Sequence, residues 1–155
     1  LLIGFKSNGL HTNGYSLARK VLLSKYKHDE RISVLKLTLG EELLRIHKSY
    51  LKLINTLKEK TKVKGFSHIT GGGIVGNTIR ILPEGLSLKI SWDSWDSLPI
   101  FNLIKETGKI PDEEMRKVFN MGIGLIAVIN KNLQGEVLKI ADELGEKSFI
   151  VGEVV

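Results

Sequence analysis

The stretch VKGFSHITGGGIVGNTIRIL, residues 63–82, determines the fold because it joins a strand, a glycine corner and a helix without a break. Apolar residues favour a strand over Val63–Thr70, and those of Ile74–Leu82 recur at helical spacing. Pro83–Gly85 then has the composition of a turn. This succession is typical of domains in which helices cover a β-sheet.

The same succession is predicted over the rest of the chain. Leu86–Trp92 alternates apolar and polar residues, as a half-buried strand does. The last part predicts a strand at Ile123–Asn130, a helix at Leu133–Leu144 and a strand at Ser148–Val155. The other predicted elements are a strand at Leu1–Lys6 and helices at Tyr15–Tyr26 (capped by Asn13 or Ser16), Gly40–Leu44, Ser49–Glu59, Pro99–Thr107 and from Pro111 onward. We therefore expect an α+β fold with a mixed sheet under helical cover.

Composition narrows the class of protein. The 155 residues are enough for one domain with a buried core. The absence of cysteine excludes disulfides, thiolate metal sites and a cysteine nucleophile. No apolar run approaches the roughly 18 residues of a membrane span, so we expect no membrane association. The formal charge of +6 leaves open a module that binds nucleic acid or other anions. However, Trp92 and Trp95 lie far from the lysine-rich segment, so nucleic acid is not the expected partner.

The glycine corner matches two nucleotide-binding patterns by spelling alone. Gly71, Gly73 and Gly76 satisfy the dinucleotide fingerprint, but Pro83 interrupts the helix that should follow. The same residues resemble a phosphate-binding P-loop in which Asn77 replaces the lysine that contacts the phosphates. Two simpler interpretations remain: a bare tight turn, or a loop whose backbone N–H groups face a phosphate.

Two further blocks have a related build. GFKSNGLHTNGYSLARKVL, Gly4–Leu22, is a strand, a polar glycine-rich loop and a helix, and PDEEMRKVFNMGIGLIAVI, Pro111–Ile129, ends in another glycine-containing turn and strand. With HITGGG and RILPEGL between them, these blocks resemble the carboxy-terminal domain of the phosphoribosylformylglycinamidine cyclo-ligases, also called aminoimidazole ribonucleotide synthetases. The segments LGEELL and GEKSFIVGEV add to the resemblance, which runs from Gly4 to Val155.

The resemblance implies a fold, an activity and a larger protein. Residues 1–155 should form one domain, a three-layer α/β/α sandwich with a partly ferredoxin-like topology. The family closes the imidazole ring of formylglycinamidine ribonucleotide in cytoplasmic purine biosynthesis. It uses ATP and Mg²⁺, which are bound mainly by an amino-terminal domain that we expect to be absent from this chain. A homodimer is implied for the full protein. The alternatives are a domain of a related ATP-dependent enzyme of the same superfamily, or a non-catalytic module that binds anions or nucleic acid.

The resemblance also assigns candidate site residues. His11 is the catalytic candidate, because imidazole titrates near neutral pH. The residues expected to bind substrate or nucleotide are Ser7, Gly9, Asn13, His68, Thr70, Gly71, Gly72, Gly73, Asn120, Met121, Gly122 and Gly124. No metal ligand is predicted within the chain. Many family members carry proline and threonine in place of Ile46 and His47, and we interpret His47 as a helix-surface residue.

Overall fold

A computed structural model describes residues 1–155. The strands are β1 Leu2–Lys6, β2 Arg31–Ile32, β3 Leu37–Thr38, β4 Gly65–His68, β5 Leu88–Ile90, β6 Ile123–Val128 and β7 Ser148–Val154. The α-helices are α1 Tyr15–Leu22, α2 Leu39–Leu43, α3 Leu51–Lys60, α4 Gly73–Thr78, α5 Pro99–Gly108, α6 Asp112–Val118 and α7 Gln134–Glu143. Short 3-10 turns lie at Ile79–Ile81 and Lys131–Leu133. No helix is long and apolar enough to cross a membrane.

The main sheet has the strand order β4-β6-β1-β7-β5. Two split units, β1-α3-β4 and β6-α7-β7, interleave so that a strand of one unit fills the gap in the other. This arrangement confirms the α+β class and the ferredoxin-like part of the expected fold, to which β5 is added at one edge. All four strand pairs are antiparallel, so the sheet is not mixed as expected. Each crossover helix returns the chain to a parallel strand, but never to a neighbouring one.

Helices lie on both faces of the sheet. Ile3, Phe5 and Leu125 project from one face into a cluster with Leu53 of α3 and Val137 of α7. The opposite face carries a second cluster, in which Leu2, Ile126 and Val151 pack with Ile74 of α4 and with Trp95. The three-layer expectation is therefore confirmed, although α4 contributes only six residues to its layer. A third cluster joins α1, α5 and α6 beyond the end of the sheet.

Several element boundaries differ from the sequence-based expectation. Helix α1 ends at Leu22, about a turn early, and begins after Gly14 at a φ of 76° with no side-chain cap, so neither Asn13 nor Ser16 caps it. The helix after the glycine corner is α-helical only to Thr78 and then tightens into a 3-10 turn. The β2-β3 hairpin was not predicted, because strands of two residues are too short to show alternation.

A β-bulge shapes the end of the sheet that carries the predicted loops. Lys6 pairs with Ile123 and Phe5 pairs with Leu125, which leaves Gly124 as an extra residue in β6. A Cβ atom on Gly124 would lie 2.3 Å from the Tyr50 hydroxyl and 2.5 Å from Cε1 of His11. The glycine is therefore required for these two side chains to pack against the strand.

Candidate functional site

Three loops meet at one end of the sheet. Loop 1 (Ser7–Gly14) follows β1, loop 2 (Ile69–Gly72) follows β4, and loop 3 (Phe119–Gly122) precedes β6. Strand β6 lies between β1 and β4 and runs antiparallel to both. The loops that follow β1 and β4 therefore lie at the same end of the sheet as the loop that precedes β6. The fold thus brings together the three blocks that carry the predicted site residues.

Asn120 ties loop 1 to loop 3. Its Oδ1 accepts hydrogen bonds from Ser7 Oγ at 2.9 Å and from the Gly122 N–H at 2.8 Å. Its Nδ2 donates to the Gly9 carbonyl at 3.0 Å. Ser7 and Asn120 are each only 3% exposed, so both have their polar atoms engaged inside the protein. These hydrogen bonds hold the two loops in place.

His11 occupies a strained and buried position in loop 1. Its backbone φ is 60°, in the left-handed region, and the residue is 4% exposed. Nε2 lies 3.0 Å from Asn8 Oδ1, whereas Nδ1 is buried without a hydrogen-bond partner. Strained backbone and unpaired buried polar atoms in native proteins concentrate at functional sites.

Two further histidines surround His11. The His47 ring stacks on the His11 ring with centroids 4.0 Å apart and planes 21° apart. His47 Nε2 lies 3.1 Å from Nε2 of His68, which is the last residue of β4. Loop 1, the segment before α3 and the end of β4 therefore form a histidine cluster of His11, His47 and His68.

Burial affects the titration of three groups in and beneath the cluster. Burial lowers the pKa of His11 to about 4, helped by His47, His68 and Lys48. Burial, followed by the charge of His68, also lowers the pKa of His47. Beneath the cluster, burial raises the pKa of Tyr50, whose hydroxyl donates to the Lys6 carbonyl at 2.9 Å. His11 is thus a neutral hydrogen-bonding group at pH 7.

The three glycines of loop 2 and α4 have different structural roles. Gly73 is buried at a φ of 65°, and a Cβ there would lie 1.8 Å from the Arg116 carbonyl oxygen of α6. Gly72 has a φ of 104° and turns the chain into α4. Gly71 is exposed, and a Cβ there would meet only Asn13 Oδ1, at 3.6 Å. Packing and backbone conformation explain two of the glycines, and only Gly71 has no steric requirement.

Asn77 holds the carbonyl side of loop 2 inward. Its Nδ2 donates to the carbonyls of Gly73 at 2.8 Å and Thr70 at 3.1 Å, and its Oδ1 accepts from Thr70 Oγ1 at 2.9 Å. The predicted hydroxyl of Thr70 is thereby engaged. In the first turn of α4 the Gly76 N–H donates to the Gly72 carbonyl at 3.2 Å. Arg80 lies over the same loop, with Nη1 3.5 Å from Asn77 Oδ1.

The rest of the predicted residues occupy the same region. Met121 has a φ of 51°, and its carbonyl accepts a hydrogen bond from the Trp95 indole at 2.9 Å. Gly122, with a φ of 100°, completes this turn. Asn13 is half-buried beside Gly71 and makes no side-chain hydrogen bond, so it is free to contact a ligand.

Sequence reasoning missed several residues of this region. His47 lies in the segment between α2 and α3 that has no regular structure, so its interpretation as a helix-surface residue is wrong. Asn8 and Arg80 were not singled out, and Asn77 was noted only as a missing lysine. The departure from the family pattern at His47 was the one available signal, because it placed an imidazole where one is not usual.

A cleft of about 480 Å³ lies at the opposite end of the sheet. Its lining includes Leu1, Lys64, Pro83 and Lys131 but no histidine and no carboxylate. None of the predicted site residues lines it, so the candidate site is the open surface formed by loops 1–3.

Comparisons with known proteins show the family of the chain. The family described as "AIR synthase related protein, C-terminal domain" matches residues 1–155. The chain is 47% identical over 155 residues to a protein of Pseudothermotoga lettingae named phosphoribosylformylglycinamidine cyclo-ligase. Proteins of the same name from Bacillus cytotoxicus and Acetivibrio thermocellus are 46% and 44% identical to this chain.

The coverage of these alignments is unequal. They include 99% to 100% of this chain but only 45% to 46% of each relative. The chain thus spans less than half the length of the curated relatives that it matches. The family match nevertheless extends over every residue. The chain therefore belongs to the family of AIR synthase related proteins, C-terminal domain.

Proposed function

We propose that this chain is the carboxy-terminal domain of an ATP-dependent cyclo-ligase that converts formylglycinamidine ribonucleotide to aminoimidazole ribonucleotide in cytoplasmic purine biosynthesis. The observation that carries the proposal is that loops 1–3 meet at one end of the sheet. The names of the relatives supply the reaction, and the three loops supply a surface on which one substrate can be held.

Loop 2 is proposed to hold a phosphate of the substrate or nucleotide. The guanidinium of Arg80 supplies positive charge over the loop, because its Nη2 lies 3.6 Å from the position that a Cβ atom on Gly72 would take. Gly71 is exposed and has no side chain, so an anion can approach its backbone closely. The amide of Asn77 keeps the carbonyl oxygens of the loop turned away from that anion.

His11 is proposed to act on the reacting part of the substrate. A neutral imidazole can donate or accept a hydrogen bond where charge develops during phosphoryl transfer and ring closure. His11 is stacked against His47, so contact with substrate requires His47 to turn aside. The protein groups would position the reactants and offset charge, which supplies most of the catalysis in phosphoryl transfer.

The other half of the site is proposed to come from the remainder of the natural protein. The loops carry no cluster of carboxylates, the ligands that Mg²⁺ prefers. We therefore assign ATP and Mg²⁺ mainly to the family's amino-terminal domain, and the homodimer to the full-length protein. Leu44 and Ile46 are 82% and 87% exposed beside the histidine cluster, and an apolar surface of this kind suits contact with that domain.

The experiment is an assay of ATP-dependent ring closure by the natural protein that contains this chain. We expect aminoimidazole ribonucleotide, ADP and phosphate in equal amounts, and no product when ATP or Mg²⁺ is omitted. The isolated 155-residue chain should give no turnover under the same conditions. Absence of product from the natural protein, or polynucleotide binding with a steep salt dependence in its place, would reject the proposal.

A further inference from the structure

The histidine cluster contains two members, His47 and His68, to which the proposed reaction gives no direct role. His11, His47 and His68 come from three separate parts of the chain, and each offers a nitrogen within 4.8 Å of the others. The resemblance to the cyclo-ligases predicts no metal in this domain, and His47 departs from the usual residue at its position. Three imidazoles with no acidic group among them are a typical donor set for a transition metal.

The pair formed by His47 and His68 already has the spacing of two metal ligands. Their Nε2 atoms are 3.1 Å apart. Two imidazole nitrogens at Zn–N distances of 2.0–2.1 Å in a tetrahedral site are separated by about 3.3 Å. A bound ion would replace the hydrogen bond between these two nitrogens, and the His47 ring would have to turn to bring His11 into the same site.

His11 supplies a third nitrogen from a fixed position. Nδ1 is buried and has no partner, so one lone pair or proton of this ring is unpaired in the folded chain. The other nitrogen, Nε2, is held 3.0 Å from Asn8 Oδ1. An oxygen acceptor on the second nitrogen, most often a carboxylate, a backbone carbonyl or water, is the usual means by which proteins orient a ligating histidine, and Asn8 Oδ1 offers such an acceptor here.

One ring must turn before all three can share an ion. Because His11 and His47 stack with planes only 21° apart, their in-plane lone pairs do not converge. His47 is the ring that can turn, since it is only partly buried, lies in a segment without regular structure and is hydrogen-bonded only to His68.

We propose that His11, His47 and His68 bind one divalent transition-metal ion of the Zn²⁺ type, with a further coordination position open to solvent or to an anion. Neutral nitrogen donors select such ions over Mg²⁺ and Ca²⁺, which prefer oxygen. The site lies directly before loop 2, so an anion held there would have access to the open position.

The test is a titration of the metal-free 155-residue chain with Zn²⁺, followed by calorimetry, and with Co²⁺, followed by its visible absorption. We expect saturation at one ion per chain and intense visible bands of four-coordinate Co²⁺. His47→Thr and His68→Asn should each weaken Zn²⁺ binding by at least about tenfold. His28→Asn is the matched control, because His28 is exposed outside the cluster, and it should bind as the unaltered chain does.

Two results would overturn the proposal. One is the absence of saturable binding at one ion per chain, and the other is equal affinity in the unaltered chain and the His47→Thr variant. Because His47 is partly exposed, His47→Thr should fold, which circular dichroism checks. The titration needs neither ATP nor substrate, so its outcome is independent of the cyclo-ligase proposal.

Discussion

At the scale of a single residue, the burial of the His11 imidazole makes the free energy of unfolding depend on pH. Histidine in an unfolded chain has a pKa near 6.5, whereas burial holds the pKa of His11 at about 4 in the folded chain. Between these values the unfolded state binds more protons, so the free energy of unfolding rises with pH. His47, His68 and Lys48 surround the ring and oppose its protonation in the same sense.

We expect His11 to contribute about 2 kcal/mol to the difference in unfolding free energy between pH 5 and pH 7. His11→Asn should remove that part of the dependence, since asparagine tolerates the left-handed backbone at this position. Urea denaturation in the presence of a chelator measures the effect, with His28→Asn as the control. An unchanged slope with pH in His11→Asn would show that His11 is not held neutral by the fold.

Gly71 and Gly73 provide a second comparison between single residues. Gly73→Ala should lower the free energy of unfolding by more than about 2 kcal/mol, because its Cβ would overlap the Arg116 carbonyl and its φ is positive. Gly71→Ala should change stability by less than about 0.5 kcal/mol, since the space around it is open. In the natural protein, Gly71→Ala should nevertheless raise KM for the nucleotide or ribonucleotide. Chemical denaturation of both variants, with steady-state kinetics of Gly71→Ala, decides this. Equal destabilisation by the two substitutions, or an unchanged KM in Gly71→Ala, would show that the three glycines serve only to form a turn.

The roles of single site residues were only partly predictable from sequence. Loop 1, loop 2 and loop 3 were correctly identified as polar, glycine-rich segments, because those compositions are local. The inward bonding of Asn120 and the contact of His47 with His11 depend on residues far apart in the chain. No local pattern carries such information, so His47 was assigned to a helix surface.

At the scale of the element, α4 explains why the dinucleotide pattern is accidental. Its third glycine, Gly76, lies within a six-residue helix, and a methyl group added to it would meet no atom within 4 Å. That glycine therefore makes no close packing contact of the kind that the dinucleotide fold requires.

Gly76→Ala should stabilise the chain by about 0.5–1 kcal/mol, because alanine has the higher helix propensity and the site has room for it. Ring closure by the natural protein should be unchanged. Thermal or urea denaturation measures the gain. A loss of stability would mean that α4 approaches another group more closely than the structure describes, and a loss of turnover would give Gly76 a part in the site.

The elements themselves were mostly predictable, and their arrangement was not. Strands β1, β6 and β7 and helices α3, α5 and α7 were recognised from apolar periodicity, with differences of a few residues at their ends. Strand order and direction are set by which apolar faces pack together over long separations. The interleaving of β1-α3-β4 with β6-α7-β7 is such a long-range property, which is why a mixed sheet was expected and an antiparallel one was found.

At the scale of the whole molecule, the candidate site is an open surface at one end of the sheet. The interleaved strands place loops 1–3 at the same end of the sheet, and the hydrogen bonds of Asn120 hold loop 1 against loop 3. The exposed apolar residues Leu44 and Ile46 lie in the segment that carries His47. An open, partly apolar face with polar loops suits closure by a second domain.

The most direct test of this account is the kcat/KM of ring closure by the natural protein and its His11→Asn variant. The account predicts turnover of formylglycinamidine ribonucleotide by the unaltered protein and a loss of about 100-fold or more in the variant, a typical effect of removing a proton donor or acceptor. His28→Asn should match the unaltered protein. Equal kcat/KM in the His11→Asn and His28→Asn variants would contradict the assignment of the reaction to the surface formed by loops 1–3.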